Sequence, residues 1–112
     1  MSEAAIMREI MLALGRRPDV RIWRRNVGLA VPVGRREPVR FGLPGQADLS
    51  GIVGPEGWVL EVEVKAPRGR LSDAQRGWGA MIESLGGIWI VARSAEEAVG
   101  ALDAALAARR NG

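Results

Sequence analysis

The chain has 112 residues, 47% hydrophobic and 26% charged, with a formal net charge of +3, the size and balance of one domain with a real core. It contains no Cys and no His, which excludes disulfides, Cys/His zinc sites, thiol nucleophiles and His-based triads. No apolar run approaches the roughly 20 residues of a membrane span, and Glu3 stands where a signal peptide would carry positive charge, so no membrane association and a cytoplasmic setting are expected.

Ser2 can N-cap a first helix over about 3–15, with Ile6, Ile10, Met11 and Leu14 at helical spacing and Gly15 just past its end. VRIWRR (20–25) alternates apolar and basic residues as a half-buried strand does, and NVG (26–28) punctuates it. LAVPV (29–33) and VRFG (39–42) read as short strands around the loop GRREP, and GLPGQ (42–46) as a Gly/Pro-rich loop. ADLSGIV (47–53) and WVLEVEVK (58–65) flank the turn GPEG. Ser72 with Gln75 forms a capping box for a helix to about Leu85, which stops at Gly86-Gly87. IWIVA (88–92) reads as a buried strand, and Ser94 with Glu97 as a second capping box opening a helix to about Arg109. Strand, helix, strand is a crossover unit, so 88–92 is expected parallel to 58–65.

If the hairpin closes with Val53 opposite Trp58, then Leu49, Gly51 and Val53 share an apolar core face with Trp58, Leu60, Val62 and Val64. The other face carries Asp48, Ser50 and Ile52 against Val59, Glu61, Glu63 and Lys65, with Asp48 opposite Glu63. Opposed residues have Cβ atoms about 4.5–5.5 Å apart. Two carboxylates that close repel unless one is protonated or a cation lies between them. A divalent ion taking oxygens from Asp48 and Glu63, a nearby backbone carbonyl such as that of Val64, and water resolves the conflict. Oxygen-only donors favour Mg²⁺ or Mn²⁺. Lys65 lies roughly 6.5–7 Å beyond Glu63 on the same face. It is the only lysine, the other 15 basic residues being Arg, and a compact ammonium suits an attacking water better than a planar guanidinium. The pattern fits metal-assisted phosphodiester hydrolysis. Alternating Glu and Lys are also common on solvated strand faces, and Glu61 reads as surface or as support to the site. Residues 16–40 hold eight arginines against Asp19 and Glu37, an electrostatic footprint for a polyanion.

GLPGQADLSG, VLEVEVKAPRGRLSDAQ and GGIWIVARSAEEA together resemble the VRR-NUC branch of the PD-(D/E)XK nucleases, in particular its small stand-alone phage and bacterial members. The matching positions are Asp48 after a Gly-rich loop, Glu63-x-Lys65 on the next strand, Gln75 early in the following helix, and Arg25-Asn26-Val27-Gly28. Ala47-Asp48 departs from the superfamily's Pro-Asp. The resemblance implies an α/β, restriction-endonuclease-like core: a mixed β-sheet flanked by helices in the order αβββαβα, one domain over 1–112. It implies that Asp48 and Glu63 bind Mg²⁺ or Mn²⁺, that Lys65 positions the attacking water and that Gln75 supports the site. It also implies a Glu near the start of the first helix, best matched by Glu3, with Glu9 competing. Gln75 has its capping role besides.

The substrate class implied is branched DNA, including four-way (Holliday) junctions, cut by a homodimer in a bacterial or phage-infected cell. Arg21, Arg24, Arg25, Arg35, Arg36 and Arg40, with Arg68, Arg70 and Arg76 near the site, are expected to contact phosphates. Asn26 is expected to bond a phosphate or sugar, or to stabilise a turn. Trp23, Trp78 and Trp89 read as core or interface rather than base-stacking platforms. The rival readings are a sequence-specific restriction-type nuclease and a catalytically silent DNA-binding module or nuclease subunit.

Overall fold

A computed structural model of the protein describes every residue except 26, 27, 32 and 38. Helix α1 (Glu3–Gly15) is capped by the Ser2 hydroxyl, which accepts from the Ala5 amide at 3.2 Å, and it buries Ile6, Ile10 and Leu14. That i, i+4, i+8 stripe is what the sequence spacing requires of a helix lying on a sheet. The helix has the expected extent of 3–15, but Gly15 is its last residue rather than lying just past the end; its φ is not positive, and Arg16 is the C-cap, its amide bonding the Leu12 carbonyl at 3.2 Å.

Strand β1 is Val20–Arg24, and a small antiparallel hairpin follows, β2 (Gly28–Ala30) with β3 (Val39–Phe41). The hairpin is a sheet of its own, and both its strands are shorter than the sequence suggested. Next come β4 (Leu49–Val53), β5 (Trp58–Val64), α2 (Asp73–Ser84), β6 (Ile88–Ala92) and α3 (Ala95–Asn111). The main sheet has the order β1-β4-β5-β6. β1, β4 and β5 pair antiparallel, and β6 is parallel to β5 through the α2 crossover. With the β2–β3 hairpin counted as an insertion, the order is the expected αβββαβα. The inserted excursion is closed at its root, where the Arg25 amide donates to the Asp48 carbonyl at 2.9 Å.

The β4–β5 register is the one the turn dictates, Val53 opposite Trp58 and Leu49 opposite Val62. Leu49, Val53, Leu60, Val62 and Val64 are fully buried and pack with Ile6, Ile10 and Leu14 of α1 and Leu102 of α3. Each such side chain contributes about 1.5–3 kcal/mol. Helices α1 and α3 cover this face, and α2 covers β5 and β6 on the other. Helix α2 comes close because Gly79 has no Cβ: an added one would overlap the Trp89 ring. The far face of β5 is therefore covered over Glu61 and Glu63, which are buried, while Val59 stays exposed. The second capping box forms only in half. Ser94 accepts from the Glu97 amide at 3.0 Å, but the Glu97 carboxylate takes the Arg93 amide at 3.2 Å instead of that of Ser94. Among the described residues no helix is long and apolar enough to cross a membrane.

Candidate active site

The register carries Asp48, one residue before β4, to the position opposite Glu63. The Val64 amide donates to Asp48 Oδ2 at 2.8 Å, which fixes that carboxylate across the strand pair. Glu63 is only 3% exposed. Its Oε1 accepts from Gln75 Nε2 at 2.9 Å and lies 3.9 Å from Lys65 Nζ. Gln75 makes two side-chain bonds. Its Oε1 accepts from the Ser72 amide at 2.9 Å, completing the capping box, while its Nε2 reaches into the site.

Burial pushes the Glu63 carboxyl up to about 8; the Asp48 charge and a hydrogen bond between the two carboxyls add to this, Lys65 opposes it, and the Glu3 charge adds a little more. Glu3 therefore lies on the side of α1 whose charge reaches the pair, although its own side chain is exposed. Two carboxyls this close, one of them resisting ionisation, could share a hard cation between them. The donor set fits such an ion: carboxylate oxygens, with thiolate and imidazole excluded by composition. Among the described residues no three acidic side chains are grouped closely enough to ligate an ion together. The Val64 carbonyl and water would therefore have to complete the shell.

Two carboxylate positions occupy this face of β5, and sequence reasoning undervalued the second. Glu61 is 1% exposed and fully engaged. Its Oε1 accepts from Trp78 Nε1 at 2.8 Å. Its Oε2 accepts from the Ser50 hydroxyl and from Arg25 Nη2, the latter at 3.4 Å. Ser50 Oγ in turn accepts from Arg25 Nε at 2.8 Å and Nη2 at 2.6 Å. Gln75 and Trp78, one helical turn apart, thus address Glu63 and Glu61 from the same face of α2. The register held a signal for this, since Ser50 stands opposite Glu61; alternation alone could not tell that a helix would cover both.

The other basic candidates scatter. Arg21 is exposed at the turn end of β4, opposite Ile52, roughly 13 Å of strand from Asp48. Arg24 lies on the α1 side of the sheet, in a hollow with Met7, Arg8 and Met11. Arg35 and Arg36 are exposed in the loop between β2 and β3, and Arg40 is within β3. Asn26 lies outside the described residues. Arg68, Arg70 and Arg76 are exposed on the side of α2 and the loop before it, Arg76 pairing with Asp73 at 3.1 Å. The tryptophans divide too: Trp78 is tied to Glu61, Trp89 packs on Gly79, and Trp23 is 48% exposed on the edge strand.

Compared with known proteins, residues 3–96 match the sequence model of the VRR-NUC domain. No curated protein and no solved structure matches.

Proposed function

The chain belongs to the VRR-NUC domain family and is a nuclease, and on that premise we propose that it is a Mg²⁺- or Mn²⁺-dependent DNA endonuclease, cytoplasmic, selective for branched DNA such as four-way (Holliday) junctions and acting as a homodimer. The observation that carries the reading is the Asp48–Glu63 pair with Lys65 Nζ 3.9 Å from Glu63 and Glu63 pushed up to about 8.

Asp48, Glu63 and the Val64 carbonyl would hold the divalent cation. When bound, it supplies Lewis-acid chemistry, offsetting phosphate charge and acidifying water. The Val64 amide keeps Asp48 Oδ2 in place, and Gln75 keeps Glu63 Oε1 in place, so both carboxylates are oriented before substrate arrives. Lys65 is 12% exposed at its side chain and presents a small cation to the attacking water and to the charge that grows on the phosphate. Glu3, at the start of α1, adds negative charge at the rim of the site. Exposed arginines at 21, 24, 35, 36, 68, 70 and 76, with Arg25, Arg40 and Asn26, supply contacts to phosphate and sugar. These contacts are suited to shape and backbone rather than to base sequence. A symmetric dimer matches the paired strands of a junction.

The test is cleavage of four-way-junction, flap and linear duplex DNA with Mg²⁺, Mn²⁺ or EDTA, beside Asp48→Asn and Lys65→Ala. Metal-dependent cutting with preference for the junction, abolished in both variants, is expected. No cutting of any substrate sinks the enzyme reading, and full activity in both variants sinks the residue assignment. Light scattering after gel filtration checks the dimer.

A further inference from the structure

The buried carboxylate of Glu61 has no place in the hydrolytic apparatus just described, yet it lies one alternation step from Glu63 on the same face of the same strand. Folding does not require a carboxylate there. An apolar side chain beneath Trp78 would fill the space without the desolvation cost of a buried charge, and such replacements are often neutral or stabilising. The carboxylate is instead saturated by Trp78, Ser50 and Arg25, and of these partners Arg25 is the one that carries charge to the surface, its side chain 32% exposed.

The guanidinium is held from one edge. Of its five N–H donors, one on Nε and two on Nη2 are engaged by Ser50 and Glu61. Those of Nη1 have no partner among the described residues. Ser50 is saturated as well, accepting two bonds from Arg25 and donating its own proton to Glu61. The backbone of Arg25 is fastened to the site itself through its amide on the Asp48 carbonyl, 2.9 Å. The side chain therefore stands at a fixed place beside the Asp48–Glu63 pair, about one carboxylate step along β5, roughly 6.5–7 Å, with its open edge unspent.

We propose that Glu61 is a positioning residue: with Ser50 it locks the Arg25 guanidinium beside the Asp48–Glu63 pair as a clamp for a non-bridging oxygen of a phosphate neighbouring the one that is cut. This rests on the nuclease reading above. Glu61 also neutralises Arg25 in the absence of DNA, so that a fixed positive charge does not oppose cation binding next door. With Nε and Nη2 engaged by Ser50 and Glu61, the Nη1 N–H groups remain to donate to a phosphate oxygen. Preorganisation removes the ordering cost that a free arginine bears on binding.

A double-mutant cycle tests it. The affinity of the full chain for a fluorescein-labelled four-way junction is measured in EDTA over a series of salt concentrations. The proteins compared are wild type, Glu61→Gln, Arg25→Ala and the two together, with thermal melts to establish folding. Glu61→Gln and Arg25→Ala are each expected to weaken binding about tenfold and to reduce the salt slope by about 0.9, the decrement for one fewer phosphate neutralised. The double variant should be no weaker than Arg25→Ala alone, because Glu61 acts through Arg25. With Mg²⁺, Glu61→Gln should raise KM more than it lowers kcat. A Glu61→Gln protein that binds with wild-type affinity and slope overturns the proposal, as does a double variant whose deficit is the product of the two single effects. If Glu61→Gln fails to fold, Ser50→Ala takes its place in the same cycle with the same criteria. A wild type that binds the junction but never cuts it would sink the nuclease reading and leave this cycle decisive.

Discussion

Replacing Glu63 by Gln in metal-free protein should remove a pH dependence of folding that the wild type must show. Between pH 4.5, the ordinary value, and about 8, the folded carboxyl keeps a proton that the unfolded one releases. Stability therefore falls as pH rises through that window; below it both forms are protonated, and above it both are ionised and the whole cost is present. At ~1.4 kcal/mol for each tenfold change in proton affinity, the ceiling is about 5 kcal/mol. Relaxation around the ionised pair reduces this, and a loss of about 2–4 kcal/mol between pH 5 and pH 8.5 is expected. The window is clean, because the chain has no His and few other groups titrate there. Gln keeps an oxygen for Gln75 to bond and carries no charge toward Asp48. Urea denaturation in EDTA across pH 4.5–9 is the assay. Glu63→Gln should be level across the window, equal to wild type near pH 4.5 and more stable by about 2–4 kcal/mol above pH 8. A wild type whose stability does not fall with pH, or a variant that falls in parallel with it, would mean that Asp48 and Glu63 do not repel one another in the folded chain.

The same repulsion should be relieved by the proposed cation: Mg²⁺ or Mn²⁺ should raise the wild-type Tm at pH 8, by more than at pH 5, and Asp48→Asn should abolish the increase in a thermal-shift assay. Lys65→Arg should hold DNA with near wild-type affinity in a binding assay yet cut at least about 10²-fold more slowly, since the guanidinium is bulkier where a compact ammonium faces the water; normal cutting by this variant would remove the special role of the lone lysine. Gly79→Ala would drive a methyl into the Trp89 ring, and a loss of about 1–3 kcal/mol in urea unfolding is expected. The same substitution should lower activity at temperatures where the protein is still folded, because Gln75 and Trp78 lift away with α2. Arg35→Ala with Arg36→Ala should flatten the salt dependence of DNA binding by up to about 0.9 for each phosphate no longer neutralised; an unchanged slope would mean that the arm does not touch the backbone.

The β4–β5 hairpin was the most legible part of the fold. A four-residue turn and strict alternation fix its register, and the register alone places Asp48 opposite Glu63. Capping residues Ser2 and Ser72 likewise announced their helices, because a side-chain oxygen ahead of a periodic run has a local reason to be there. The caps were less readable: Gly15 is the last helical residue and leaves the cap to Arg16, and Glu97 found a different amide. The burial of Glu61 was illegible for a tertiary reason. Strand alternation tells which residues share a face, not what will cover that face. Coverage depended on how closely α2 could approach, which Gly79 and Trp89 decide at long range. The basic stretch 16–40 was read as one footprint, yet strand parity sends Arg24 to the α1 side while Arg25 turns back to the site.

The excursion from Arg25 to Asp48 leaves and rejoins the sheet where the Arg25 amide bonds the Asp48 carbonyl. As a polymer, such a closed segment is nearly indifferent to its own length, since doubling it costs only about 0.6 kcal/mol. Its return limb is anchored, Gly45 lying so near α2 that an added Cβ would collide with the Ala74 carbonyl, but the β2–β3 portion is not part of the main sheet. On the proposed function, the carboxylate pair and the arginines of the β2–β3 arm thus sit on separately editable stretches of chain: the arm can be lengthened, shortened or recharged while Asp48 stays in register with Glu63. A descendant of this protein could acquire a new taste in nucleic-acid shape without relearning how to break a phosphodiester.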